Sequence, residues 1–344
     1  MTMSVSSLRE SFETHGDEFR VLFRQLAARE NVHAYLITGE KGTGKRTLAR
    51  LMAAAMLCTS ETGRPCGVCR NCLLVMKDEH PDLILIEKGK PIAAGIKKDR
   101  STIPVEDIRE MIRLCGVQSM DGNMHAVLIF DAESMTAQAQ NCLLKTLEEP
   151  PPDTCIILVT AHTESILTTV ISRCRMVRMR AWEDQYILSV LKSEGIDGKR
   201  AAEAAAASDG SIGKALELAK GEEYWKLREE VIKNFFAVTS RSEVLKISNQ
   251  WKDRKQEAGE MLAILESLVR VMAEARFGKG NETVSTFPVQ WQRFSAEAEA
   301  EKFILLADTI TNARKQLQFN TNFQAVIEKI LFAFMGEGNI WLQS

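Results

Sequence analysis

Four cysteines, Cys58, Cys66, Cys69 and Cys72, fall in the pattern C-x7-C-x2-C-x2-C, among turns signalled by Gly63, Pro65 and Gly67. Thiolates at this spacing suit a tetrahedral zinc ion, and the turns let the backbone wrap around it. Because protein supplies all four ligands, no position stays open for water. The expected site is therefore structural zinc, which argues against a zinc nuclease or deaminase. Cys115, Cys142, Cys155 and Cys174 sit singly in apolar or regular segments and read as small buried hydrophobes.

A second candidate site is Gly39-Glu40-Lys41-Gly42-Thr43-Gly44-Lys45-Arg46-Thr47, directly after the apolar run His33–Thr38 and before the helical stretch Leu48–Met56. Strand, glycine-rich turn and helix is the context of a phosphate-binding loop. Gly39, Gly42 and Gly44 would turn backbone N–H groups toward phosphate, the helix N-terminus would add positive potential, and Lys45 would add a charge. ATP or ADP is the ligand such a loop takes. The residue after the lysine should be Ser or Thr to hold Mg²⁺, however, and here it is Arg46; Thr47 comes one position late, about 100° around the helix. Two readings stay open at this point: a loop kept only for its shape, or one that binds nucleotide weakly. Asp131, after the apolar run Ala126–Phe130, stands where an aspartate orients Mg²⁺ in phosphoryl-transferring proteins. Next to it, where hydrolytic motors carry the glutamate that polarises water, is Ala132. Glu133 follows, and strand alternation would turn it to the opposite face.

The elements that must position these groups are legible in outline. Short β-branched runs at His33–Thr38, Asp82–Ile86, Ala126–Phe130 and Cys155–Thr160 alternate with helix-length segments, which predicts βα units around a parallel sheet buried on both faces. All prolines but Pro288 precede residue 153, so the second half is free to be helical. There Met261, Leu262, Leu265, Leu268, Val269 and Met272 recur at helical spacing, as do Phe323, Val326, Ile327, Ile330, Leu331 and Phe334. The 344 residues carry 44 Lys+Arg against 46 Asp+Glu, a net charge of -2 that argues against a dedicated basic nucleic-acid binder. The short basic run Lys97-Lys98-Asp99-Arg100 reads as a solvated loop. No apolar run approaches the roughly 18 residues of a membrane span, and no secretory signal is evident, so a cytoplasmic protein without membrane contact is expected.

Taken together, these motifs resemble one family closely, the bacterial clamp-loader subunits of DNA polymerase III, which are AAA+ proteins. The likeness runs from His33-Ala34-Tyr35-Leu36 through the phosphate loop and the four cysteines to His80-Pro81-Asp82, Ile108-Arg109 and Asp131–Met135. It continues through Asn141-Cys142-Leu143-Leu144-Lys145-Thr146-Leu147-Glu148-Glu149-Pro150-Pro151 and Ser172-Arg173-Cys174, and resumes more weakly at 317–322. The resemblance implies an α/β plus all-α protein: an AAA+ P-loop domain at residues 1–180 with a zinc insertion at 58–72, a helical lid at 181–222, and a C-terminal helical collar at 223–344 used for oligomerisation. It implies a polar sensor at Thr160, and at Arg173 an arginine that projects into a neighbouring subunit's nucleotide site. Leu317, Phe319 and Phe323 become candidates for collar contacts. The family's ATP-hydrolysing gamma/tau motor would carry Ser or Thr at 46, Glu at 132 and a sensor arginine within 210–216. Arg46, Ala132 and Gly213 depart from that pattern, as the family's noncatalytic stator does. The implied partners are gamma/tau and delta subunits and, through the complex, the sliding clamp and primer-template DNA. A gamma/tau-like motor is the alternative.

Overall fold

A computed structural model describes residues 4–30, 32–93, 101–120, 124–236, 238–278, 284, 287–318 and 322–340. The basic run Lys97–Arg100 and Phe319 lie outside them. The chain divides into two compact units: Met1–Trp182 with Ser211–Gly213, and Glu183–Gly210 with Lys214–Ser344.

In the first unit, helices α1 (Val5–His15) and α2 (Asp17–Ala27) precede strand β1 (Ala34–Thr38). Then follow α3 (Lys45–Leu57), α4 (Arg70–Met76), β2 (Leu83–Ile86), α5 (Val105–Cys115) and β3 (His125–Ile129). The unit continues with α6 (Ala137–Glu148), β4 (Thr154–Thr160), the short α7 (Thr168–Ile171) and β5 (Arg175–Arg178). The five strands form one sheet in the order β2-β3-β4-β1-β5, with every neighbouring pair parallel. Parallel strands need crossovers, which the intervening helices supply while covering both faces. Hence β1, β3 and β4 are buried along their whole length, the physical reason their sequences are continuous apolar runs and not alternating ones. The expected strands are thus present, their ends shifted by a residue. Register places Thr38 beside both Thr160 and Arg178, and Ile86 beside Ile129, so the carboxyl ends gather the loops that follow them on one edge. In open α/β sheets that edge is where ligands bind.

The second unit is helical throughout its described residues: α8 (Asp184–Ser193), α9 (Gly198–Ala207), α10 (Ile212–Lys220), α11 (Glu222–Phe235), α12 (Arg241–Trp251), α13 (Ala258–Phe277), α14 (Val289–Glu297), α15 (Ala300–Gln318) and α16 (Phe323–Ile340). Helix α10 begins with residues that belong to the first unit. Both apolar stripes read from the sequence, on α13 and α16, are buried in a single core with Phe235, Phe236, Trp251, Trp291 and Phe294. Tight local signals start these helices: Ser240 and Glu243 form a reciprocal capping box on α12. Phe323 is part of this core, and Leu317, partly buried, packs against it.

Candidate functional site

The phosphate loop leaves β1 and enters α3. Gly39, Gly42 and Gly44 all adopt positive φ, and a Cβ on Gly39 would stand 2.5 Å from the Met179 carbonyl oxygen, so only glycine fits there. Gly44, left-handed, caps α3 and leaves the first helical N–H groups facing outward. Lys45 is buried, and its Nζ donates to the carbonyls of Gly39 and Glu40, both at 2.7 Å. Burial lowers the Lys45 pKa, offset in part by the carboxylates of Glu133, Glu40 and Asp131. The rim of the loop is tied down as well. Trp182 Nε1 donates to the Thr43 carbonyl at 2.8 Å and Ser211 Oγ to that of Lys41 at 3.0 Å. Gly213 N–H donates to the Gly42 carbonyl at 3.0 Å, and a Cβ at 213 would lie 3.1 Å from Gly42 Cα. At this position, where the motor pattern allows a sensor arginine, a larger residue would force the loop to give way.

Arg46 does more than interrupt the motif. Its guanidinium reaches across the strand ends, donating to Asp131 Oδ2 at 2.7 Å and to Glu87 Oε1 at 2.5 Å, with Cζ 4.9 Å from the centroid of the Phe130 ring. Burial would lower the Arg46 pKa, but the bonds to both carboxylates raise it. Glu87 is likewise held below the usual carboxylate range, since the bonds from Lys90 and Arg46 outweigh its burial. Asp131 has a left-handed backbone, φ 52°, and a 3₁₀ turn spans Ala132–Ser134. Strand alternation therefore ends before Glu133, contrary to the sequence expectation. Ala132 points into the core, while Glu133 Oε2 is buried without a hydrogen-bond partner and its charge is the largest one favouring the protonated Lys45.

Thr160 is buried at the end of β4, and its hydroxyl accepts from His162 N–H at 3.0 Å, which fixes it beside the β1 terminus. Arg173 stands apart from the loop. It follows the last turn of α7, donates to the Thr169 carbonyl at 2.9 Å, and forms an ion pair with Glu148 at the end of α6. The buried Gln140 side chain joins these two elements, donating to the carbonyls of Met135 and Ser165 and accepting from Leu167 N–H. The structure thus brings Gly39, Gly42, Gly44, Lys45 and Asp131 to one sheet edge, and presents Arg173 with partners that include no phosphate-loop residue.

The cysteine quartet converges as its spacing predicts. The Sγ atoms of Cys58, Cys66, Cys69 and Cys72 all lie within 4.8 Å of one another, with Cys58 and Cys69 at 3.9 Å. Tetrahedral zinc with bonds of about 2.3 Å needs sulfurs about 3.8 Å apart, so the donor set fits that ion. Two side chains have been prepared for it unequally. Burial raises the Cys69 pKa, yet the Cys72 and Thr59 amides more than reverse this and bring it down to about 6. Burial pushes the Cys72 thiol up. Of the remaining cysteines, Cys115 and Cys155 are buried as expected, while Cys142 and Cys174 are half-buried.

A family model described as "DNA polymerase III, delta subunit" matches residues 14–183, a span that contains the phosphate loop, the cysteine quartet and Arg173. The DNA polymerase III subunit delta' of Bacillus subtilis is 28% identical over 331 residues, 94% of this chain and 97% of that protein. The Escherichia coli subunit of the same name is 34% identical over 62% of this chain and 61% of its own length. The chain is similar to DNA polymerase III delta' subunits, to one of them along almost its whole length. A wider kinship shows in the tau/gamma subunit of Haemophilus influenzae, 32% identical over 54% of this chain but only 26% of that subunit.

The residue that sequence reasoning passed over is Glu87. It lies one position beyond β2, beside the strand that delivers Asp131, and it is the second carboxylate on Arg46. The available signal was an acidic residue immediately after a parallel strand, at the edge where such sheets hold charge.

Proposed function

We propose that this chain is a noncatalytic stator subunit of a bacterial clamp loader, which lends Arg173 to the ATP site of a neighbouring gamma/tau motor subunit. Residues 181–222 would serve as its lid and 223–344 as the collar that joins the other subunits. With delta, the assembly would open the sliding clamp and place it on primer-template DNA in the cytoplasm. Among the described residues no helix is long and apolar enough to cross a membrane. The observation that carries the reading is the placement of Arg173: a half-exposed guanidinium at a helix end, held by Glu148 and a carbonyl and bonded to nothing in its own phosphate loop. A planar cation so presented suits a phosphoryl group on another chain. Zinc at the four cysteines would hold the 58–76 segment, including the seven-residue helix α4, which is too short to persist alone.

The alternative, a gamma/tau-like motor, draws on one observation, the inward-facing Glu133 near Lys45. The deciding experiment is reconstitution with the cognate gamma/tau and delta subunits, alongside an ATPase assay of the chain alone. The stator reading expects a stable complex that hydrolyses ATP when clamp and primed DNA are added, and no turnover by the isolated chain. Failure to enter the complex refutes it. Turnover by the isolated chain that disappears in Lys45→Ala would establish the motor instead.

A further inference from the structure

We infer that Arg46 is a resident substitute for the divalent cation, so that this phosphate loop excludes Mg²⁺ from Asp131 whether or not a polyphosphate is bound. The metal that phosphate-loop proteins carry needs a hydroxyl from the residue after the lysine and an aspartate on the adjoining strand, in near-octahedral oxygen geometry at about 2.0–2.1 Å. Here the first ligand is missing and the second is taken. Arg46 donates to Asp131 Oδ2 at 2.7 Å and to Glu87 Oε1 at 2.5 Å, and Phe130 lies beneath the guanidinium. The residues therefore do not fit the ion.

Arg46 is well suited to the replacement. A guanidinium is planar and always charged, and its fork satisfies two carboxylates at once. Both of its partners sit on strand ends next to each other in the sheet, where Ile86 and Ile129 are in register. Two facing carboxylates without a cation would repel, so this clamp answers a need of the fold that Mg²⁺ cannot meet before nucleotide arrives. Arg50 occupies the other side of the same ring, its Cζ 4.9 Å from the Phe130 centroid, but its charge is engaged with Asp78; Lys90 reaches the other oxygen of Glu87 at 2.8 Å, and Arg46 is the cation that bridges Glu87 to Asp131. A polyphosphate at Gly42–Lys45 would meet the positive charges of Lys45 and Arg46 in place of lysine and metal.

The test reads metal occupancy directly, by Mn²⁺ electron paramagnetic resonance on the full chain with and without ADP, together with thermal unfolding in the presence and absence of Mg²⁺. Wild type should bind no Mn²⁺ at this site with ADP or without it, and its melting temperature should not respond to Mg²⁺. Arg46→Ser should gain Mn²⁺ affinity by about tenfold or more, the scale of removing a like charge beside the ion, and should melt lower unless Mg²⁺ is added. The gain should vanish in Arg46→Ser/Asp131→Asn. A wild-type chain that takes up Mn²⁺ with ADP overturns the inference without recourse to any variant, as does an Arg46→Ser chain that folds but gains no ion. Since metal occupancy is read on the isolated chain, a protein that excludes Mn²⁺ yet fails to join a clamp loader would leave this inference standing and the stator reading refuted.

Discussion

Replacing Arg173 by alanine separates what this residue does for its own fold from what it would do for a neighbour. On the folding side, the Arg173 and Glu148 side chains are 34% and 51% exposed, so their ion pair is screened by water. Such pairs contribute about 0–1 kcal/mol, and the bond to the Thr169 carbonyl adds about 1 kcal/mol. The loss is at most about 2 kcal/mol, confined to the α6–α7 corner that Gln140 already ties together. Assembly should survive it. On the catalytic side, arginines supplied in trans to a transferring phosphoryl group are worth about 10³–10⁵ in rate, or roughly 4–7 kcal/mol of barrier. Clamp- and DNA-stimulated ATP hydrolysis at the adjoining motor site should therefore fall far more than stability does. Arg173→Lys, which keeps the charge and loses the fork, should recover only part of the rate. Glu148→Ala, which releases the guanidinium, should leave hydrolysis at or above the wild-type level. The assay is steady-state phosphate release by complexes in which only the adjoining motor subunit retains its own phosphate-loop lysine, paired with melting curves of each variant. Undiminished hydrolysis by an assembled Arg173→Ala complex would refute the argument, and so would a collapse in stability matching the loss of rate.

Two further predictions concern the cysteines. Metal analysis should find about one Zn²⁺ per chain, lost in Cys69→Ser/Cys72→Ser; unchanged content in that variant would remove these residues from the site. In folded protein stripped of metal, the thiolate is the species that alkylates, and a Cys69 pKa of about 6 means it is mostly formed above that pH. Cys69 modification should thus rise through pH 6 and level off, while burial holds Cys115 up to about 11 and Cys174 up to about 12 and keeps both unreactive at neutral pH. Site-resolved mass spectrometry across pH 5–8 checks this, and a Cys69 profile that rises only near pH 9 would contradict it.

What the sequence disclosed, and what it withheld, follows from the range over which each feature is determined. The cysteine quartet and the phosphate loop are local: their spacing alone brings ligands or amides together, and the structure forms both as the spacing requires. The sheet was legible for a similar reason, since strands buried on both faces must be continuously apolar, as Ala34–Thr38 and Thr154–Thr160 are. Their pairing order was not, because nothing within a strand encodes its neighbour. Glu133 shows a local rule failing at its boundary. Alternation predicts its facing only while the backbone stays extended, and the left-handed Asp131 ends that two residues too soon.

Arg46 illustrates the harder case. From the sequence it registers as a defect, a ligand for Mg²⁺ that is missing. Its role depends on Glu87, 41 residues away, and Asp131, 85 residues away, which the β2–β3 register sets side by side. A single chain read from end to end shows the substitution but not its compensation. Gly213 belongs to the same class, absent as a sensor arginine in sequence and present in space as a backbone in contact with Gly42. Together these residues tie the loop down by positive contacts: Gly213, Ser211 and Trp182 donate to its carbonyls, Lys45 is engaged with two more, and Arg46 bridges the carboxylates of Asp131 and Glu87. A phosphate loop decaying without function would be expected to accumulate unpaired polar groups. This one has five of its carbonyls bonded, as a rigid structural element requires, while Glu133 Oε2 beside it stays without a partner.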